Sequence, residues 1–503
     1  MPPHPILITG GKILTLDGPQ GFKAHDQDIL IEGSRIMQIG PQIIAPPGAE
    51  IISARGKLVM PGLINAHLHS SEMFLRGRYE KMPLETWLVY SYPFFGSLPL
   101  DLRLLYLRTM LVAIESLRNG VTMISDDFFD PPKHDLERLS TVFRAYGDSG
   151  IRANVSSGLM NLPYLDTLAF ARDIFPADIQ AQLDFPTLGA TEYLAYCDEV
   201  FRHLHGSSEG RLRYMLAPSG PQRCTADLLQ ACSDLGKARN VPFHIHVLET
   251  RVQAITGERL FGGSLLHYMD RLGLLHPGVL MAHTVWVTDD DIARMGNAGV
   301  SVSYNALANL KLGSGLCPVR RLRDAGVNVA LGTDGASSND TLRLFDVIRV
   351  AALVQSANGQ SAKSWTSAQE TVHAATLAGA KAALLEKETG SLAPGKKADL
   401  IILDLNRTTA FTPLSDVVRQ LAYGENGSSI ESVMVDGHFV IHNGRFTTID
   451  EEAILAEIRD LMPAFLRNYA RIEQDNAYLE KYFAEVHRRC QAEPLSFDRY
   501  LPA

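Results

Sequence analysis

Between about residues 60 and 388 short apolar runs alternate with longer helix-patterned stretches, and this repetition most narrows the folds open to the chain. MPGLINAHLH, GVTMISDDF, IRANVSSGL, VPFHIHVLE, GVLMAHTVWV, GVSVSYNA and VNVALGTDG read as buried strands, while DLRLLYLRTMLVAIESLRN and DLERLSTVFRAYGDSG carry helical periodicity. Repeated βα units build a parallel sheet, and eight of them close into a TIM-type (β/α)8 barrel whose chemistry sits at the C-terminal ends of the strands. The expectation is an α/β fold with that barrel over 60–388. Residues 1–59 and 389–450 instead alternate apolar and polar positions, broken by Gly, Asp and Pro, which predicts antiparallel β-structure. Two such segments flanking the barrel suggest one small composite β-sandwich domain. Residues 451–503 read as a C-terminal helical extension, packed on the body or bracing a dimer, with a tail reaching over the active site as the alternative.

The run ending in His67-Leu68-His69 supplies the first chemical signal, because alternate strand residues point to the same face. Two imidazoles converging at a strand end make half of a transition-metal site and suit zinc or iron better than magnesium or calcium. Further along stand His246 with Glu249 three residues on, His283 in LMAHTVWV, and Asp334 in VALGTDGASSND. Their wide separation fits ligands drawn from separate strands of one barrel rather than a compact single-helix motif. The last of these stretches is glycine-rich but lacks the lysine and spacing of a phosphate-binding loop.

Composition excludes several classes. A formal net charge of -9 argues against a nucleic-acid partner, which calls for a basic face. Five cysteines, odd in number and without CxxC pairing, predict buried thiols rather than a disulfide framework or a thiolate zinc site. No apolar run reaches the roughly 18 residues of a membrane span, and no signal segment opens the chain, so the expectation is a cytoplasmic protein without a membrane partner.

PGLINAHLH, HVLET, AHTVW, NLKLGSG and LGTDGASSN, in that order, resemble the amidohydrolase superfamily. The likeness is to its branch of hydrolytic deaminases, which includes S-adenosylhomocysteine/methylthioadenosine, guanine and triazine deaminases and chlorohydrolases, and it extends from about residue 5 to about 448. The resemblance implies His67, His69, His246 and Asp334 as ligands of one divalent metal ion, Zn2+ first, with Fe2+ or Mn2+ open. The lysine that bridges a second ion in binuclear relatives is missing from IRANVSSGLM, so one ion is expected. Such an ion lowers the pKa of water from 15.7 toward ~7. Asp334 then accepts a proton from that water, His283 hydrogen-bonds the nucleophile or polarises the bond under attack, and Glu249 acts as proton shuttle to a ring nitrogen and the departing amine, making Glu249, His283 and Asp334 the catalytic set. His244 is expected either to be structural or to support a ligand. Asp126 is expected either to orient a ligand imidazole or to cap a strand. The family habit and the extension imply a homodimer or homotetramer.

PLETWL follows the first metal strand and resembles the substrate-covering loop, which nominates Glu85 and Trp87 as wall residues; an aromatic wall suits a flat heterocycle. Ser219 and Gln222 in APSGPQRC, and Tyr304, Asn305 and Asn309 in SYNALANLKLG, complete the predicted substrate-binding set. Relatives of adenosine type carry His near 219 and at 304, and Arg where this chain has Ser157. These departures point to a smaller, neutral aminated N-heterocycle such as a purine, pterin, pyrimidine or triazine. Hydrolysis of another C–N, amide, urea or C–Cl bond on the same site is the alternative, since fold and metal do not fix the substrate. A non-catalytic scaffold fits poorly, because the ligand, acid and base positions are all filled.

Overall fold

The computed structural model describes residues 4–96, 100–130, 134–185, 187–358 and 361–500. From the N-terminus come β1 (Ile6–Ile13), β2 (His25–Glu32), β3 (Arg35–Gly40), β4 (Glu50–Ser53) and β5 (Lys57–Pro61). The middle of the chain supplies β6 (Leu63–Leu68), β7 (Val121–Asp126), β8 (Arg152–Val155), β9 (Leu212–Tyr214), β10 (Phe243–Val247), β11 (Val279–His283), β12 (Ser301–Tyr304) and β13 (Asn328–Leu331). Near the end lie β14 (Leu400–Asp404), β15 (Ile430–Val435), β16 (His438–His442) and β17 (Arg445–Phe446).

β6 to β13 form two four-stranded sheets, in the orders β6-β7-β8-β9 and β10-β11-β12-β13, and every pair is parallel. Most of these strand residues are buried, as a parallel sheet covered on both faces requires. At one junction between the sheets Leu216 bridges Phe243, and the His244 N–H donates to the Leu216 carbonyl at 2.8 Å. At the other, the Asp334 N–H donates to the His67 carbonyl at 3.0 Å, and the Asn65 amide donates to Thr333 Oγ1 at 2.7 Å.

The remaining nine strands make one sheet drawn from both ends of the chain, in the order β17-β16-β15-β14-β5-β1-β2-β3, with β4 also on β1. Two expectations are corrected here. The N-terminal segment is not purely antiparallel: the loop after β3 carries the chain back so that β4 runs parallel to β1, and after the turn at Ala54 β5 continues along β1 in the same direction. The apolar run from Met60 is also not one strand. Met60 and Pro61 end β5, and the first of the eight parallel strands starts at Leu63. Gly62 makes the break possible, since a Cβ there would lie 2.1 Å from Thr122 Oγ1.

Helix Glu451–Asn476 and helix Glu480–Ala492 form the extension. The second, with Leu479 just before it, packs Phe483, Val486 and Cys490 against Val89, Tyr164, Val252 and Ile255, which follow β6, β8 and β10. All five cysteines are free and buried, and among the described residues no helix is long and apolar enough to cross a membrane.

Candidate active site

Strand ends deliver the predicted cluster. His67 lies within β6 and His69 just beyond it, His246 within β10, His283 at the last position of β11, and Asp334 three residues past β13. Leu248, His283, Thr284 and Asp334 have positive φ of 51°, 72°, 47° and 63°, a conformation that non-glycine residues adopt at a cost repaid by the surrounding structure.

Asp334 Oδ1 lies 3.4 Å from His67 Nε2 and 3.5 Å from His69 Nε2, and His69 Nε2 lies 3.3 Å from His246 Nε2. His67, His246 and His283 also bring ligand atoms within 4.8 Å of one another, as do Glu249, His283 and Asp334. The other ring nitrogens are held. His69 Nδ1 donates to the Asp127 carbonyl at 2.8 Å, and His246 Nδ1 to the Ser219 carbonyl at 2.9 Å. His67 Nδ1 meets His244 Nε2 at 2.9 Å. A carbonyl only accepts, so both Nδ1 atoms carry a proton and the Nε2 atoms of His69 and His246 face inward, the edge an imidazole presents to a metal once Nε2 is unprotonated.

Charge supports the same use. Burial pushes His67 down to about 4 and His246 well below the usual histidine range, which keeps both neutral. Burial also opposes a charge on His69, but Asp127, Asp334 and Glu72 overcome it and lift that imidazole to about 9. His67 Nε2 is buried without a partner. Neutral nitrogen donors, an orphaned lone pair and a surplus of buried carboxylate together fit a divalent cation.

Glu249 and His283 stand beside the cluster, with Glu249 Oε2 3.7 Å and Asp334 Oδ2 3.9 Å from His283 Nε2. His283 Nδ1 donates to Asn309 Oδ1 at 2.8 Å, and the Asn305 amide lies 3.4 Å from the same ring. Burial raises the Glu249 carboxyl to about 7, and its Oε1 has no partner.

The other nominated residues divide. Trp87 is packed among Leu75, Leu84, Tyr469 and Ile472 with its indole nitrogen unpartnered, and buried Gln222 has an unpartnered Oε1. Ser219 contributes its carbonyl to His246, while its hydroxyl accepts from Arg223 at 3.1 Å. Both Glu85 oxygens are engaged, by Thr250 at 2.8 Å and His487 at 3.2 Å. Tyr304 is drawn away from the cluster, its hydroxyl accepting from Gln355 at 3.2 Å, and Ser157 pairs with Tyr196 at 3.0 Å. Asp126 touches no ligand imidazole; it accepts from the Ser70 N–H at 2.9 Å and from Tyr146 at 2.7 Å, capping the turn after His69.

Sequence reasoning missed Asp127 and Glu72. Asp127 lies 3.9 Å from both His244 Nδ1 and His246 Nδ1. Glu72 accepts from Ser337 Oγ at 2.7 Å and Tyr92 at 2.9 Å, tying the turn after His69 to the loop after Asp334. The small residues of that loop were the available signal: a Cβ on Gly335 would lie 1.9 Å from Glu72 Oε2.

The chain is 31% identical over 453 residues to a 5'-deoxyadenosine deaminase of Methanosarcina mazei, covering 90% of this chain and 96% of the relative. It is 34% identical over 469 residues to a 5-methylthioadenosine/S-adenosylhomocysteine deaminase of Symbiobacterium thermophilum, covering 92% and 99%. Among solved structures, a zinc-bound adenosine deaminase from Xanthomonas campestris superposes with TM-score 0.80 at 26% identity, covering 94% of this chain and 99% of that one. An atrazine chlorohydrolase from Arthrobacter aurescens, complexed with zinc, gives TM-score 0.80 at 26% identity, covering 91% and 100%. These relatives, with the His/Asp cluster, are consistent with a metal-dependent hydrolytic deaminase. The profile of the amidohydrolase family matches residues 58–440, and with these likenesses over nearly the whole length the chain belongs to that family.

Proposed function

We propose that the chain removes an amino group from an aromatic N-heterocycle by hydrolysis, using one divalent ion, zinc first, held by His67, His69, His246 and Asp334. The observation that carries this reading is the convergence of those four side chains beside Glu249 and His283. Bound there, the ion supplies Lewis acidity that makes water a nucleophile at neutral pH. Asp334 takes a proton from the attacking water. His283, its Nδ1–H fixed on Asn309, turns Nε2 to the reacting atoms. Glu249, its carboxyl raised by burial to about 7, donates its proton to a ring nitrogen, takes up the second proton of the added water from the new hydroxyl and passes it to the departing amine, which leaves as ammonia; the proton held by Asp334 then restores Glu249. Trp87, Gln222 and Asn309 carry buried polar atoms without partners, which suit the edge of a flat heterocycle bearing donors and acceptors.

The same reading takes the eight parallel strands as one closed (β/α)8 barrel over 60–388. The hydrogen bonds across both sheet junctions support it. Residues 1–59 and 389–450 then form the composite β-sandwich domain, and 451–503 the extension. Adenosine derivatives head the candidate substrates because of the relatives' names, and neutral ones lead because Ser157 and Tyr304 supply no cation and the Arg223 guanidinium is already engaged by the Ser219 hydroxyl. The likeness to a chlorohydrolase keeps C–Cl cleavage as a second reading. Measuring ammonia and chloride release from a panel of adenosine derivatives, pterins, pyrimidines and chlorinated triazines, on protein of known metal content, separates the two. Chloride without ammonia overturns the first.

A further inference from the structure

We propose that the C-terminal extension is a working part of the active site and that His487 is its positioning residue. This rests on Glu249 being the proton shuttle. A continuous path of hydrogen bonds joins the two. His487 Nδ1 donates to Glu85 Oε2 at 3.2 Å, and Thr250 Oγ1 donates to Glu85 Oε1 at 2.8 Å. The same Thr250 hydroxyl caps helix Arg251–Leu260 by accepting from the Gln253 N–H, and Gln253 Oε1 accepts the Glu249 N–H at 2.8 Å. Glu249 follows Leu248, whose φ of 51° leaves the backbone in need of such restraint.

The imidazole is itself oriented. The Gln491 amide reaches His487 Nε2 at 3.3 Å and Tyr500 at 2.7 Å, which leaves Nδ1–H for Glu85. Beyond it the chain end clasps the segment after His283: Tyr500 lies edge-on to Trp286 at 5.1 Å, and Arg499 donates to the Val285 carbonyl at 3.0 Å. Arg251 donates back to the Glu493 carbonyl at 2.6 Å. The segments following His69, Glu249 and His283 therefore share one brace. Displacing a reacting group by about 1 Å costs up to ~10²-fold in rate, so a loosened brace is read in turnover.

The test compares the full-length, metal-loaded protein with His487→Phe, which keeps a flat ring without the donor, and His487→Asn, whose amide nitrogen falls near the position of Nδ1. Expected are a kcat lowered by about 10- to 100-fold in His487→Phe with KM and metal content little changed, and recovery toward wild type in His487→Asn. In a Glu249→Gln background His487→Phe adds no further loss, because both act on the same step. An unchanged kcat in His487→Phe overturns the proposal, as does an equal loss in both backgrounds. Should His487→Phe fold poorly, Glu85→Gln reads the same coupling. Full activity in Glu249→Gln alone would instead bring down the shuttle assignment.

Discussion

Two buried charge clusters sit at opposite ends of the parallel strands, and they are built by opposite rules. At the N-terminal end Arg152, the first residue of β8, lies 2.8 Å from Asp399 and 3.2 Å from Asp436, and Lys397 reaches Asp436 at 2.8 Å. No side-chain atom of these four is buried without a partner. Asp436 has positive φ, but it and Gly437 form the tight turn between β15 and β16, where that is ordinary. At the C-terminal end His67 Nε2, Glu249 Oε1 and Asn309 Nδ2 are all orphaned, and strand-end residues are strained. A satisfied cluster ties the parallel strands to the sheet drawn from both ends of the chain. An unsatisfied one is reserved for something that binds, and its cost is carried by the rest of the fold.

Substitutions at the two ends should therefore separate activity from stability. Glu249→Gln should lower kcat by about 10²–10⁴-fold with bound metal and melting temperature retained. Burial lifts the Glu249 carboxyl to about 7, and the protonated form is the active one, so kcat/KM should fall as pH rises through that group. A limb that persists in Glu249→Gln belongs to another residue. At the other end Arg152→Met strands two buried carboxylates and should cost about 3–5 kcal/mol in stability, read by chemical denaturation, while kcat per folded molecule stays unchanged. Loss of turnover in folded Arg152→Met protein would erase the distinction between the ends. Smaller still, His244→Phe removes the partner of His67 Nδ1 and should weaken metal affinity by about 10–100-fold, measured by competition with a chelator.

The sequence exposes those parts of the fold where one residue's chemistry is sufficient evidence. His67 and His69 were legible because strand alternation puts both on one face, and Glu249 because it follows His246 at a fixed interval. The supports were not legible, since they depend on which distant segments meet. Nothing local marks the Asp127 carbonyl as the acceptor for His69, or Glu72 as the post around which the 335–338 loop winds. The break at Gly62 hid for the same reason: residues 60–69 read as one apolar run, and only the approach of Thr122 shows why the chain must turn there. Tyr304 is nominated by its neighbours in sequence, and its hydroxyl accepts from Gln355, a partner that nothing local announces.

Metal stoichiometry tests the central claim most directly. Elemental analysis of the purified chain, paired with ammonia release from the best substrate, should give one divalent ion per chain in the wild type. In Asp334→Asn the ion and the activity should disappear together. Two ions per chain, or full turnover with none, would contradict the account.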